Sequence, residues 1–298
     1  MKVPVNEPHL IGNEKKYLIQ CIKSGFISSS GPFVEKFEKK FARKVGRKFA
    51  ISVSNGTAAL QLAFESLKIK KRSEVILPSF TIISCVLPII RCGAVPVLID
   101  SDPYTWNLDV TKIEEKVNSK TKAIIAPHIY GLPIDIDPLL KIARKYNLKV
   151  IEDAAEVLGL KYKNRLCGSF GDVSTFSFYA NKHITTGEGG MIVTDNKEIA
   201  EKCRSLRNIC FNKERRFLHY DLGWNYRFTN LQAAVGLAQL EKLSKFVNKK
   251  RNIGKIYNKE LPKIKIFNTP LDKKKYAKNI YWVYGLVLKK NSPIALNT

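Results

Sequence analysis

The sequence lacks the spacings that a metal site or a disulfide framework would need. Its six cysteines, Cys21, Cys85, Cys92, Cys167, Cys203 and Cys210, include no CxxC pair, and its four histidines stand far apart. Neither a zinc site nor disulfides are expected, and reduced thiols in a cytoplasmic protein fit this usage. Long apolar runs are also missing. The opening "MKVPVNEPHLIGNEKK" has no apolar core, so no signal peptide is expected. The most apolar stretch, 75–90, is broken by Pro78 and Pro88 and followed by Arg91, which leaves it too short to span a bilayer. Acidic residues are scarce. Asp and Glu number 26 against 51 Lys and Arg, a formal charge of +25. Such an excess can serve nucleic acid or an anionic surface. Here the basic residues are scattered in short groups at 68–72, 249–251 and 273–275, without interleaved aromatics and without a finger, zipper or RNP-like motif. No nucleic-acid or membrane partner is expected. Solvated surface lysine is the plainer reading, and the positive field would attract an anionic small-molecule substrate.

What is present is the composition of a globular chain. Of 298 residues, 45% are hydrophobic, enough for one large core, or for a large domain with a small one. Phe33, Phe37, Phe41 and Val45 recur every four positions and predict a helix over 33–45. Strands are predicted at 49–54, 74–78, 95–102, 121–131, 148–156, 171–179 and 189–195. Helices are predicted between them, among these 81–93, 109–117 and 135–147. Strand and helix alternate at βαβ spacing, and several strands are continuous apolar runs, which points to a largely parallel sheet covered on both faces. After residue 196 the pattern turns helical, with one long helix over 229–261 ended by Pro262. A last strand is predicted at 280–288, where a second domain would begin.

In such sheets ligands sit beyond the carboxyl ends of the strands. Three strand ends carry candidate chemistry. Asn55-Gly56-Thr57 reads either as an anion-binding helix start or as an ordinary one. Asp153 reads either as a helix N-cap or as a carboxylate facing a protonated pyridine nitrogen. Ser177 is followed five residues later by Lys182, which in an apolar setting can lose its proton and form a Schiff base, while the Gly-Glu-Gly-Gly after it permits close backbone approach. Any one of these alone is ambiguous. Together, a phosphate cradle, a pyridinium carboxylate and a lysine are the parts pyridoxal 5'-phosphate requires.

The segments "VSNGTAAL", "DSDPYTWNLDV", "HIYGLPIDIDP", "VIEDAAEVLG", "GDVSTFSFYANKHITTGEGGMIVTD" and "GWNYRFTNLQAAVGLAQLEKL" follow one another over residues 25 to about 245. In that order they resemble the DegT/DnrJ/EryC1/StrS sugar aminotransferases. The resemblance implies an α/β fold of the aspartate aminotransferase type, with a mostly parallel seven-stranded sheet between helices. It implies a large cofactor-binding domain over 1–245 and the start of a C-terminal small domain over 246–298. Family members continue beyond residue 298, so that domain is expected to be truncated. The implied activity is amination of a nucleotide-linked 4-keto-6-deoxy sugar, with glutamate as donor, for surface polysaccharide. By the same resemblance Lys182 carries the cofactor and moves protons, and Asp153 faces the ring nitrogen. Gly56, Thr57 and Ser177 take the phosphate, and Glu156 lies near the phenolic oxygen. Asn225 reaches the cofactor phosphate of a neighbouring subunit in a homodimer with shared sites. Tyr226, Arg227 and His183 are candidates for substrate contact, and no metal is implied. Ile82 stands where the family usually has an aromatic residue. Two alternatives remain: a sugar 3-dehydratase of the same fold, whose relatives have histidine at the lysine position, and a non-catalytic homologue.

Overall fold

Seven short strands, rich in buried Val, Ile, Leu, Ala and Phe, form the central sheet. The computed structural model describes residues 4, 6–212 and 214–289. Along the chain these are helices α1 (Glu14–Ser24) and α2 (Pro32–Val45), then β1 (Phe49–Val53), α3 (Gly56–Ser66), β2 (Glu74–Pro78), α4 (Leu87–Arg91), β3 (Val95–Ile99), β4 (Thr121–Pro127), α5 (Ile136–Lys145) and β5 (Lys149–Asp153). A hairpin of β6 (Lys161–Tyr162) and β7 (Arg165–Leu166) precedes β8 (Val173–Ser177), β9 (Gly190–Thr194), α6 (Lys197–Arg207), α7 (Asn230–Glu241) and α8 (Leu243–Glu260). Four two-residue strands follow: β10 (Phe267–Asn268), β11 (Lys273–Lys274), β12 (Ala277–Lys278) and β13 (Val287–Leu288). In the large sheet the order is β1-β9-β8-β5-β4-β2-β3, and only β9 runs against its neighbours, β1 and β8. The expected, mostly parallel seven-stranded α/β sheet is therefore present.

The phenylalanine stripe of α2 explains how one face of the sheet is closed. Phe37 and Phe41 are fully buried. Their rings meet Phe178 at 5.4 and 5.5 Å, and Phe41 meets Phe176 at 5.0 Å. Each such side chain contributes roughly 1.5–3 kcal/mol by burial. Because Phe176 and Phe178 flank Ser177, this packing fixes the end of β8. The other face is covered by α3, α4 and α6 over Ile51, Val75, Leu77 and Ile151.

Four expected elements differ. The helix expected at 81–93 is a 3-10 turn (Ile83–Cys85) followed by the short α4. Pro88 lacks the N–H and crowds the preceding turn, so a helix cannot run through it. At 109–117 two 3-10 turns replace a helix, over a segment rich in β-branched residues. The long helix expected over 229–261 breaks at Lys242 (φ −107°, ψ 3°). There Glu241 is tied to Asn13 at 2.9 Å and Tyr17 at 3.0 Å, which fixes the end of α7 against α1. The strand expected at 280–288 is paired only at Val287–Leu288, with β10. Its first residues cross the strand-end loops instead, and the Ile280 amide donates to the Gly131 carbonyl at 3.0 Å. Residues 290–298 of the expected C-terminal unit lie outside the described residues.

Glu152, one residue before the end of β5, is the most constrained carboxylate in the sheet. It is 2% exposed and accepts from His128 Nε2 (3.0 Å), the amides of Gly168 (2.6 Å) and Phe170 (2.9 Å), and Ser174 Oγ (2.9 Å). The Ile134 amide donates to His128 Nδ1 at 3.1 Å, which places the imidazole proton on Nε2. Burial alone would raise the Glu152 pKa, but these donors outweigh it and hold it below its ordinary value. Cys167 lies beside the same pair, yet the lone pairs that could bind a metal at His128 and Glu152 already serve protein donors. Glu152→Ala leaves several buried donors unpaired and is expected to lower unfolding stability by about 3 kcal/mol or more. The urea midpoint measures this, and a shift near zero would contradict the assignment.

Candidate active site

The strand register brings the candidate residues to one edge. Asp153 stands opposite Thr175, two residues before Ser177, while Gly190 at the start of β9 pairs with both Ser177 and Val53. The close approach depends on glycine. A Cβ on Gly190 would lie 2.4 Å from the Asn55 carbonyl oxygen, and one on Gly56 would lie 2.9 Å from Ser177 Cβ. The first turn of α3 therefore presses against the end of β8. Asn55 caps that turn, accepting from the Ala58 amide at 2.8 Å. Among the described residues the amides of Gly56 and Thr57 have no protein acceptor, and Thr57 Oγ1 lies 2.8 Å from Ser84 Oγ. Gly56, Thr57, Ser177 and Ser84 thus form a small cup of donors at a helix N-terminus, suited to a phosphate.

Lys182 follows on a loop closed at its base, where the Phe178 amide donates to the Gly189 carbonyl at 2.8 Å. Its Nζ lies 4.0 Å from Glu156 Oε1 and 3.5 Å from the centre of the Trp282 ring. The Trp282 indole N–H donates to the Asn181 carbonyl at 2.9 Å, fixing that ring over the amine. Burial depresses the Lys182 pKa, while Glu156 and Asp153 pull it back part of the way. Glu156 accepts from the Tyr130 amide at 2.7 Å, and burial pushes its pKa up to about 7 against the pull of Lys182.

Asp153 is 6% exposed and accepts from the Ala155 amide at 3.1 Å and the Cys85 thiol at 3.4 Å. Burial raises its pKa. No basic side chain among the described residues pairs with it, and Lys182 acts on it only from a distance. A buried carboxylate in this state suits a cationic ring nitrogen as partner. The cup, the carboxylate and the amine are thus placed as a pyridine ring with a phosphate arm would need them.

The remaining candidates lie apart. His183 is buried, and among the described residues neither ring nitrogen has a hydrogen bond of ordinary geometry. Burial and the nearby Lys250 push its pKa down to about 3, although the Ile280 backbone works slightly the other way. The backbone of Tyr226 joins the cup's edge, its carbonyl accepting from the Ser54 amide at 3.0 Å, while its ring stacks on Trp224. Arg227 donates to Asn208 Oδ1 at 2.9 Å, and Asn225 is exposed. Neither they nor Tyr226 form a hydrogen bond or ion pair with Lys182, Asp153 or Glu156 among the described residues. Ile82 is 58% exposed and opens the 3-10 turn that carries Ser84 and Cys85. Sequence reasoning missed Ser84, Cys85, Tyr130 and Trp282. The mismatch at Ile82 could have drawn attention to its neighbours, but no local signal marks Trp282.

The sequence profile of the DegT/DnrJ/EryC1/StrS aminotransferase family matches residues 8–296. The chain belongs to this family. Its cofactor is pyridoxal 5'-phosphate, and the DegT/DnrJ/EryC1/StrS fold accounts for the sheet order described above. GDP-perosamine synthase of Escherichia coli O157:H7 is 44% identical over 285 residues, covering 96% of this chain and 77% of that protein. The solved structure of Helicobacter pylori PseC, an aminotransferase involved in pseudoaminic acid biosynthesis, superposes with a TM-score of 0.92 at 26% identity, covering 97% of this chain and 78% of that one. A GDP-4-keto-6-deoxymannose-3-dehydratase with a trapped PLP-glutamate geminal diamine gives a TM-score of 0.92 at 26% identity, covering 98% and 81%.

The raised Glu156 carboxyl has a signed consequence for stability. Its proton is lost near 4.5 when the chain is unfolded and near 7 when folded, so its contribution is present below 4.5 and disappears as pH rises through 7. In cofactor-free protein, Glu156→Gln is expected to flatten the fall in Tm across that window. Parallel Tm curves for the two proteins would contradict it.

Proposed function

We propose that this aminotransferase converts a nucleotide-linked 4-keto-6-deoxy sugar to its 4-amino derivative, as the name GDP-perosamine synthase implies for its relatives, with glutamate as amino donor. The observation that carries the reading is an amine at position 182 with a depressed pKa, set between Glu156 and the uncompensated Asp153. When bound, pyridoxal 5'-phosphate supplies an electron sink and a carbon that accepts and releases the amino group. With the cofactor bound, Lys182 would carry it and would pass a proton between the amino donor and the cofactor. Asp153 would face the ring nitrogen and keep it protonated. Gly56, Thr57 and Ser177 would donate to the phosphate, and Glu156 would stand by the phenolic oxygen. The Trp282 ring excludes water from the amine, which favours its neutral, nucleophilic form.

Asn225, Tyr226 and Arg227 act, in this reading, across a homodimer interface, with Asn225 on the neighbouring phosphate. What supports an interface there is the preceding loop, where Phe217 is 83% and Leu222 89% exposed. For His183 we propose a place behind Lys182. Residues 246–298 begin a smaller C-terminal unit, a reading supported by the β10–β13 pair lying outside the main sheet. A cytoplasmic location agrees with six free cysteines, and no helix among the described residues is long and apolar enough to cross a membrane.

Incubation with glutamate and GDP-4-keto-6-deoxymannose, followed by mass spectrometry, decides between amination and loss of the 3-hydroxyl. A 4-amino sugar is expected, and a 3-deoxy product or no turnover would overturn the proposal. Lys182→Ala is expected to reduce turnover by about 1,000-fold or more. Borohydride treatment of the parent enzyme should leave a phosphopyridoxyl group on the peptide containing Lys182, and on no other.

A further inference from the structure

The basic groups that look scattered along the sequence meet at one place away from the strand-end site. The hairpin β6–β7 and the hairpin β11–β12 are docked on each other. The Lys163 amide donates to the Tyr276 carbonyl at 2.6 Å, and the rings of Tyr162 and Tyr276 lie 5.1 Å apart. Between them is a concavity of about 570 Å³, to which Lys161 and Lys163 come from the first hairpin and Arg251 from α8. Lys273, Lys274, Lys275 and Lys278 come from the second hairpin, and no carboxylate lines it. Among the described residues only Lys163 of these has an ion-pair partner, Asp137. Asp272 exerts some pull on Arg251 but is engaged by the Tyr281 hydroxyl at 2.8 Å.

Two features of this arrangement oppose local stability. Lys273 and Lys278 are direct cross-strand partners, and like charges placed opposite each other destabilise a strand pair. Lys163 occupies a left-handed position (φ 51°) in the turn of β6–β7, where glycine or asparagine is the usual choice. An anion held between the hairpins would offset the repulsion between Lys273 and Lys278. None of the residues forming the cup, the carboxylate or the amine of the strand-end site lines the concavity.

We propose that the concavity between the two hairpins is a second anion site, separate from the strand-end site, that takes a small ligand bearing a diphosphate group. Lysines on two facing hairpins suit adjacent phosphates better than a single charge, because each hairpin can engage one of them. The source of the diphosphate is either inorganic or a nucleotide.

Isothermal titration of the holoenzyme with inorganic pyrophosphate, and separately with a nucleoside diphosphate, tests this. With pyrophosphate one saturable event per chain is expected, with no change in the cofactor absorption band, whereas the nucleoside diphosphate, which the substrate site would also take, is expected to show a second event that the lysine variants leave intact. In Lys273→Gln/Lys278→Gln the affinity should fall by at least about tenfold. The Tm of that variant without anion should equal or exceed the parent's, which separates a lost site from a lost fold. Lys161→Gln/Lys275→Gln, which leaves the opposed pair intact, should show the same loss. Tighter binding of the nucleoside diphosphate, lost in the same variants, assigns the ligand to a nucleotide, while equal binding assigns it to the phosphates alone. Unchanged pyrophosphate affinity in both variants, or a cofactor band perturbed by pyrophosphate, would overturn the second site. The readout is heat of binding, so failure of keto-sugar turnover would leave it untouched.

Discussion

The candidate site depends on a carboxylate that is itself outside it. Glu152 binds β5 to the turn before β8 through the Gly168 and Phe170 amides, to β8 itself through Ser174, and to the loop after β4 through His128. A charge this deep is tolerated because four donors converge on it. Successive residues of a strand point to opposite faces. With Glu152 locked to one side, Asp153 must project to the other, at the tip of the same strand. The orientation of the uncompensated carboxylate thus follows from the saturation of its neighbour.

A second constraint is steric. The sheet order puts β9, the one reversed strand, between β1 and β8, so its first residue reaches the edge where the other strands end. Only glycine at 190 leaves room for the Asn55 carbonyl, and only glycine at 56 leaves room for Ser177. The donor cup is therefore a product of backbone contact between three elements.

Much of this was legible beforehand, because strand ends are legible. Apolar runs at βαβ spacing predict a parallel sheet, and polar residues just past each run predict its working edge. Gly56, Asp153, Ser177 and Lys182 were found on that logic, and the family resemblance gave them an order. The parts that escaped are tertiary. Lys242 breaks a helix without proline or glycine, where Glu241 fastens the end of α7 to α1. Ser84 and Cys85 reach the cup and the carboxylate only because Pro88 restarts the helix after them. The lysines at 161 and 163 are separated from those at 273 and 278 by more than a hundred residues of chain, and no window of sequence shows the two groups as neighbours.

Trp282 shows most clearly why periodicity could not complete the site. Within "YWVYGLVL" it is one apolar residue of an apparent strand, and strand logic would assign it a sheet partner. The chain instead crosses the loop at Gly131, where Tyr281 takes a left-handed backbone (φ 49°) and its amide is held by Asn279 Oδ1 at 2.7 Å. That turn delivers the indole over Lys182, with its N–H fastened to Asn181. The ring does two opposing things. Its face attracts the charged amine, while its bulk excludes the water that would stabilise the charge better. Because burial is the largest influence on Lys182 and outweighs its two carboxylate neighbours, exclusion wins, and the amine's pKa is held below its ordinary value. A lysine read from one end of the sheet thus owes part of its burial to a residue a hundred positions away that enters the site as a lid rather than as a strand.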